Sequence, residues 1–301
     1  MIRAGKEEDK KTIYDIYSRG NSSGKSMDGY FAVQYVPENV FVNEVNGHIA
    51  ASMQVNYCPM MLDGRKIAAA MMFAMFYDRN KSSKYLDALK EEAFNQQQFK
   101  SLITVVPTES ETDFKKYGFE PVYKRRLYTI NRSDLDNASY QNVDKQYRYQ
   151  QLADLYNTFM ANFNGYIYRD TTYFKNLIEL IHYQKYNLAV YHGEDGNLQG
   201  YVIYYIENSK VVVEEIVYLN GEALTRLLCY CLRLKTTIQV YVSEYEDLSR
   251  AFPKIKYKTV INGVAKINDL DLFNQYFKCN VSSCKEALEV FNKPLFFNEF
   301  Y

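Results

Sequence analysis

One order of structural signals is written twice along this 301-residue chain, and that repeat limits its fold more than any other feature. Residues 7–20 (EEDKKTIYDIYSRG) set Ile13, Ile16 and Tyr17 on one face of an opening helix that stops at Gly20. The run VFVNEVNGHIAASMQVNYC is rich in β-formers and is broken by Asn46-Gly47, a strong two-residue hairpin signal. A second turn, Asp63-Gly64, precedes RKIAAAMMFAMFY, which is apolar on both of its period-2 faces. That pattern fits a strand covered on both sides. Ala and Met also suit a buried helix, and the flanking turns favour the strand. A polar turn follows, then a helix with Leu86, Leu89 and Ala93 on one face, the strand SLITVVP, a last helical turn from Phe114 to Tyr117 stopped by Gly118, and the β-rich RRLYTI. Residues 148–260 repeat the plan: a helix from Leu152 to Phe163, an Asp195-Gly196 hairpin, an Asn208-Ser209 turn, a third strand, a polar turn, a helix, and TTIQVYVSEYEDLSRAFP as strand and short helix.

The expected organisation is therefore α+β, with two mixed-sheet units in tandem at 1–131 and 148–260. A polar linker at 132–147 joins them, and a small incomplete C-terminal region, 261–301, is too short to fold alone. Thirty-six basic and 36 acidic residues cancel, so charge makes no case for nucleic acid or an anionic membrane surface. Three His make a His-centred catalytic or metal site a poor expectation, and no metal is assigned. Five cysteines without CxxC spacing, no opening signal segment and no run of 18 apolar residues point to a reduced, soluble, cytoplasmic protein. A homo-oligomer stays open.

The element order resembles the GNAT superfamily of N-acetyltransferases, most pointedly at DFKKYGFEPVYKRRLYTI. There the family carries a Tyr four residues before a Gly-Phe or Gly-Tyr pair. Two tandem copies narrow the resemblance to the enhanced-intracellular-survival (Eis) type. NGYIYRDTTYF with LQGYVIYYIENSKVVVEEIV is similar to that type's degenerate second unit. VAKINDLDLF and NKPLFFNEFY look like the ends of a shortened sterol-carrier-like third piece.

The resemblance implies acetyl-CoA as donor and a primary amine, small molecule or peptide, as acceptor. It puts the cofactor at Ala74 and Met75 and along the loop Arg79, Asn80, Lys81, Ser82, Ser83 and Lys84. The family's loop reads Arg/Gln-x-x-Gly-x-Gly/Ala, so Arg79 keeps its place while Ser82 and Lys84 replace glycines. A helix N-terminus presents unsatisfied donors and a positive dipole end to phosphate. Arg79, Lys81 and Lys84 either offer point charges in place of a tight wrap or form a solvated turn around a vestigial site. Phe114 stands where the family's proton-donating Tyr would be, leaving Tyr117 as a stand-in acid. By position the carboxylate of Tyr301 is the family-type base, or else NKPLFFNEFY is a closing strand. Glu109, Glu111 and Asp113 could hold a cationic amine or be a solvated helix start. Tyr30, Phe31 and Tyr35, or Tyr166 and Tyr168, could line an acceptor channel, although most of the 30 Tyr must be structural. The runner-up function is a catalytically inactive relative that binds acyl-CoA or protein.

Overall fold

The computed structural model describes residues 1–20, 27–135 and 139–299. In chain order its strands and α-helices begin β1 (Ile2–Ala4), α1 (Asp9–Gly20), β2 (Val40–Val45), β3 (His48–Leu62), β4 (Arg65–Tyr77), α2 (Lys84–Gln97), β5 (Ile103–Pro107) and β6 (Glu120–Asn131). They continue with β7 (Val143–Asp144), α3 (Tyr149–Met160), β8 (Tyr166–Ile167), α4 (Thr171–Tyr183), β9 (Asn187–His192), β10 (Leu198–Glu207), β11 (Lys210–Tyr218) and α5 (Gly221–Leu234). The last are β12 (Thr237–Ser243), β13 (Lys256–Ile267), α6 (Leu270–Phe277) and α7 (Cys284–Glu289). A π-helical turn spans Tyr30–Gln34, and 3-10 turns include Lys115–Tyr117. The fold is mixed α/β in two compact units. The first holds Met1–Val122 and Gly263–Val290, and the second holds Tyr123–Asn262 and Phe291–Asn298.

In the first unit the strands run β1-β2-β3-β4-β5, with the end of β13 beside β5. All neighbours are antiparallel except β4 and β5, which pair in parallel through Ala69–Met71 and Ile103–Val105. The two faces of β4 are both covered, which is why its sequence is apolar on both. Ala70 and Met72 pack under Leu86, Leu89, Ala93 and Phe94 of α2, while Phe73 joins Ile13 and Ile16 of α1 with Val40 and Val42. Each such fully buried aliphatic or aromatic side chain contributes about 1.5–3 kcal/mol of transfer free energy. The hairpins form where expected. Asn46 and Gly47 have φ of 53° and 74°, and Asp63 and Gly64 have 50° and 72°, the left-handed pairs that match strand twist.

The second unit orders its strands β6-β12-β11-β10-β9-β7, again with one parallel pair, β11 with β12, through Lys210–Val213 and Thr237–Val240. Leu224, Leu227, Leu228 and Cys231 of α5 pack on Val202, Val211, Val213, Ile238 and Val240. Within the segment read as a linker, Val143–Asp144 pairs with β9 as an edge strand. α4 follows an Asp170 N-cap that accepts from the Tyr173 amide at 2.8 Å.

Candidate functional site

The parallel pairing of β4 and β5 ends at Met71 and Val105, yet β4 runs on for six more residues. Over that stretch it carries a bulge. Ser52 faces Phe76 and Gln54 faces Phe73, so Met53 alone stands opposite Ala74 and Met75. Ala74 has φ of 51°, a left-handed conformation that costs a non-glycine residue on the order of 1 kcal/mol. A bulge breaks the ladder locally and re-aims the backbone, and such features concentrate at functional sites.

Beyond the bulge the chain turns through Asp78–Ser83 into α2. The Asp78 amide donates to the Ala50 carbonyl at 2.9 Å, the Lys81 amide to the Asp78 carbonyl at 2.8 Å, and the Asn80 amide to the Asp78 side chain at 3.0 Å. The Lys84 amide donates to the Ser82 hydroxyl at 3.3 Å and the Tyr85 amide to the Ser82 carbonyl at 3.2 Å. Among the described residues, the amides of Arg79, Ser82 and Ser83 have no acceptor. Ser83, the N-cap, makes no side-chain cap. No residue from Asp78 to Lys84 has positive φ, so this turn requires no glycine and Ser82 and Lys84 sit in it without strain. Arg79 and Lys84 are exposed and Lys81 is half-buried; none of the three makes an ion pair among the described residues. Three open amides, three uncommitted cations and the positive end of a 14-residue helix together suit a phosphate group.

Phe114 lies in an aromatic cluster, its ring 6.4 Å from Phe94 and 6.0 Å from Phe119. The Lys90 ammonium covers the Phe114 ring at 4.9 Å, and burial holds that lysine below its ordinary range. Tyr117 closes the 3-10 turn before Gly118, whose φ of 83° supplies the left-handed stop. Its hydroxyl donates to Asp87 at 3.0 Å, on the first turn of α2. Lys116 reaches the same carboxylate at 3.1 Å and holds it below the usual range, with Tyr117 helping. Burial pushes the Tyr117 hydroxyl up. The sequence reading does not include Asp87 and Lys90; their i, i+3 spacing beside the loop is the available signal.

Tyr301 lies outside the described residues. Glu109, Glu111 and Asp113 are exposed on the loop after β5, where the Ser110 hydroxyl accepts from the Thr112 and Asp113 amides. Tyr30, Phe31 and Tyr35 are buried in the core under α1, with the Tyr30 hydroxyl donating to Gln54 at 2.8 Å. Tyr166 is buried and Tyr168 half-buried. Among the described residues no group of three or more His, Cys, Asp or Glu could hold a metal ion. None of their helices is long and apolar enough to cross a membrane.

Comparison with known proteins bears on the fold. Residues 165–262, in the second unit, match the family described as an acetyltransferase (GNAT) domain. No curated protein matches the chain. Its fold is similar to that of an Enterococcus faecalis protein described as of unknown function and a probable N-acyltransferase (15% identity, TM-score 0.73, covering 91% of this chain and 74% of that one). It is also similar to a GCN5-related N-acetyltransferase from Anabaena variabilis (14%, 0.74, 90% and 73%). Eis1 from Mycobacterium abscessus shares the fold as well (13%, 0.67, 91% and 75%). At these identities the likeness concerns the fold, which is GNAT-like.

Proposed function

We propose that the chain is an N-acetyltransferase of the GNAT type, with acetyl-CoA as donor and a primary amine as acceptor, arranged as in Eis-type proteins with a shortened C-terminal piece. The observation that carries this reading is the Arg79–Lys84 turn, whose open amides and free cations stand at the N-terminus of α2 just past the bulge at Ala74 and Met75. In this reading Arg79, Lys81 and Lys84 hold the phosphates, with the amides of Arg79, Ser82 and Ser83 beneath them. The interrupted ladder at Ala74 and Met75 supplies a backbone donor for the acyl carbonyl. Acetyl-CoA supplies an activated thioester. The amine nitrogen forms the new C–N bond as the C–S bond breaks, so a base must take a proton from nitrogen and an acid must return one to sulfur. The Tyr301 carboxylate is the proposed base and Tyr117 the proposed acid.

One observation favours a second reading, a relative that binds acyl-CoA without turning it over. Phe114 brings no proton, and the Tyr117 hydroxyl is already committed to Asp87. Calorimetry with CoA and acetyl-CoA, followed by thiol release over a panel of primary amines, separates the readings. Binding with amine-dependent thiol release is the expected result. Binding without release leaves the second reading, and no binding at millimolar ligand ends both.

A further inference from the structure

The second unit repeats the divergent strand pair of the first, and here the divergence is filled by the chain itself. Pairing of β11 with β12 ends at Val213 and Val240. A register shift leaves Glu214 as the extra residue, with Val213 opposite Tyr204 and Glu215 opposite Ile203. Where the strands part, residues 295–298 lie between them. The Leu295 carbonyl accepts from the Ser243 hydroxyl at 3.1 Å, at the end of β12. The Asn298 amide group donates to the Glu214 carbonyl at 3.1 Å and to the Glu215 carboxylate at 3.0 Å, on β11. Its oxygen accepts from Arg125 at 2.9 Å. The Phe296 amide donates to the Asn164 carbonyl at 2.9 Å, and the Phe297 carbonyl accepts from Asn262 at 2.5 Å. Only about 10 Å³ remains open beside these groups, room for a single water.

Beneath Asn298 is a fully buried ion pair. Arg169 binds Glu215 at 2.8 and 3.0 Å and also donates to the Asn298 carbonyl. The rings of Tyr156 and Tyr173 stack on its guanidinium at 4.2 and 4.9 Å, and Tyr201 donates to Glu215 at 2.6 Å. A buried ion pair gains little over apolar packing of the same volume, and its best-attested use is to specify one arrangement. Both members of this pair bond directly to Asn298. Gly165 fits the same purpose. At φ of 70° it is left-handed, and a Cβ there would stand 2.8 Å from the Tyr123 hydroxyl and 3.2 Å from the Leu295 side chain.

We infer that the β11–β12 divergence is a binding cleft for an extended peptide that reads an asparagine side chain, and that its occupant is this chain's own segment 295–298. Main-chain groups on the four consecutive residues 295–298 supply binding, and the Glu215 carboxylate, held by Arg169, supplies with Arg125 the selectivity for the Asn298 side chain. The cleft therefore serves to seat segment 295–298, whether or not the first unit is an enzyme.

Hydrogen exchange on the full chain tests this with two variants, Asn298→Ala and the paired change Arg169→Met with Glu215→Leu. In both, the amides of residues 295–298 should exchange at least tenfold faster, with β10 keeping its protection. A labelled peptide with the sequence of residues 291–299 should bind Asn298→Ala at least tenfold more tightly than it binds the wild-type chain, whose cleft is filled. The same peptide with alanine for its asparagine should lose that binding. Unchanged exchange at 295–298 in both variants would overturn the inference. So would an equal loss of protection in β10, or equal peptide binding by variant and wild type.

Discussion

Glu246, just past β12, accepts a hydrogen bond from the Tyr218 hydroxyl at 2.8 Å and another from the Ser243 amide at 2.8 Å. Burial raises its carboxyl from 4.5 to about 7, against the pull of those two donors. The folded chain then keeps a proton that the unfolded chain releases between pH 4.5 and 7. Its stability through this group is highest below that window and falls as pH rises across it. The full difference is on the order of 3 kcal/mol. Glu246→Gln keeps the shape and removes the charged form. The expected outcome is a stability gain over wild type that is small at pH 5 and grows to about 2–3 kcal/mol at pH 8, read from urea unfolding at both pH values. A gain of equal size at the two pH values would mean that this carboxyl does not titrate as stated. Sequence gives little hint of such a group, because its environment comes from Tyr218 and Ser243, 28 and three residues away.

Among the elements, the loop between β4 and α2 is where sequence and structure inform each other most. The missing glycines look like decay in the sequence, but no residue of the turn has positive φ, so serine and lysine are compatible with it. If its charges bind the diphosphate, changing Arg79 and Lys81 to Ala should weaken CoA binding roughly thirty- to a thousandfold at low salt, at about 1–2 kcal/mol for each of the two lost charge-assisted contacts. The loss should shrink as salt rises. Calorimetry at two ionic strengths measures it, and equal affinity for variant and wild type would move the site elsewhere. The hairpins and the doubly apolar β4 were legible because two-residue turns demand Asn-Gly or Asp-Gly, and because a strand between two helical layers must be apolar on both faces. The bulge at Ala74 was not, since alanine has no preference for φ above zero; register against β3 imposes it. The sequence reading includes no helix at α4, although Asp170 caps it and Phe174, Leu177, Ile178 and Ile181 share its buried face. Arg169, Glu215 and Asn298 read as surface residues in sequence. Only tertiary packing brings them together and buries them.

For the molecule as a whole, each unit contains a strand pair that diverges past a bulge, so the number of ligands bound is informative. The turn into α5 differs from the turn into α2 in its cap and in its charge. Asn220 caps α5 by accepting from the Ala223 amide at 2.9 Å, and the Leu219 amide is taken by the Gln199 carbonyl at 2.9 Å. Glu222 puts a carboxylate in the first turn, as Asp87 does in α2, but no basic residue lies between Leu219 and Gly221, where the turn into α2 carries Arg79, Lys81 and Lys84. A capped helix start without cations suits an anion less than an open one flanked by basic residues. The divergence next to it is already filled by residues 295–298. The family match falls on this second unit, while the open amides and unpaired cations suited to phosphate lie on the first. CoA should therefore bind once per chain, and the triple change of Arg79, Lys81 and Lys84 to Ala should reduce that single event without exposing another. Calorimetric titration of the full chain measures the count directly. Two equivalents per chain, or an undiminished single event in the triple variant, would place a ligand site on the second unit and remove the contrast between the two turns.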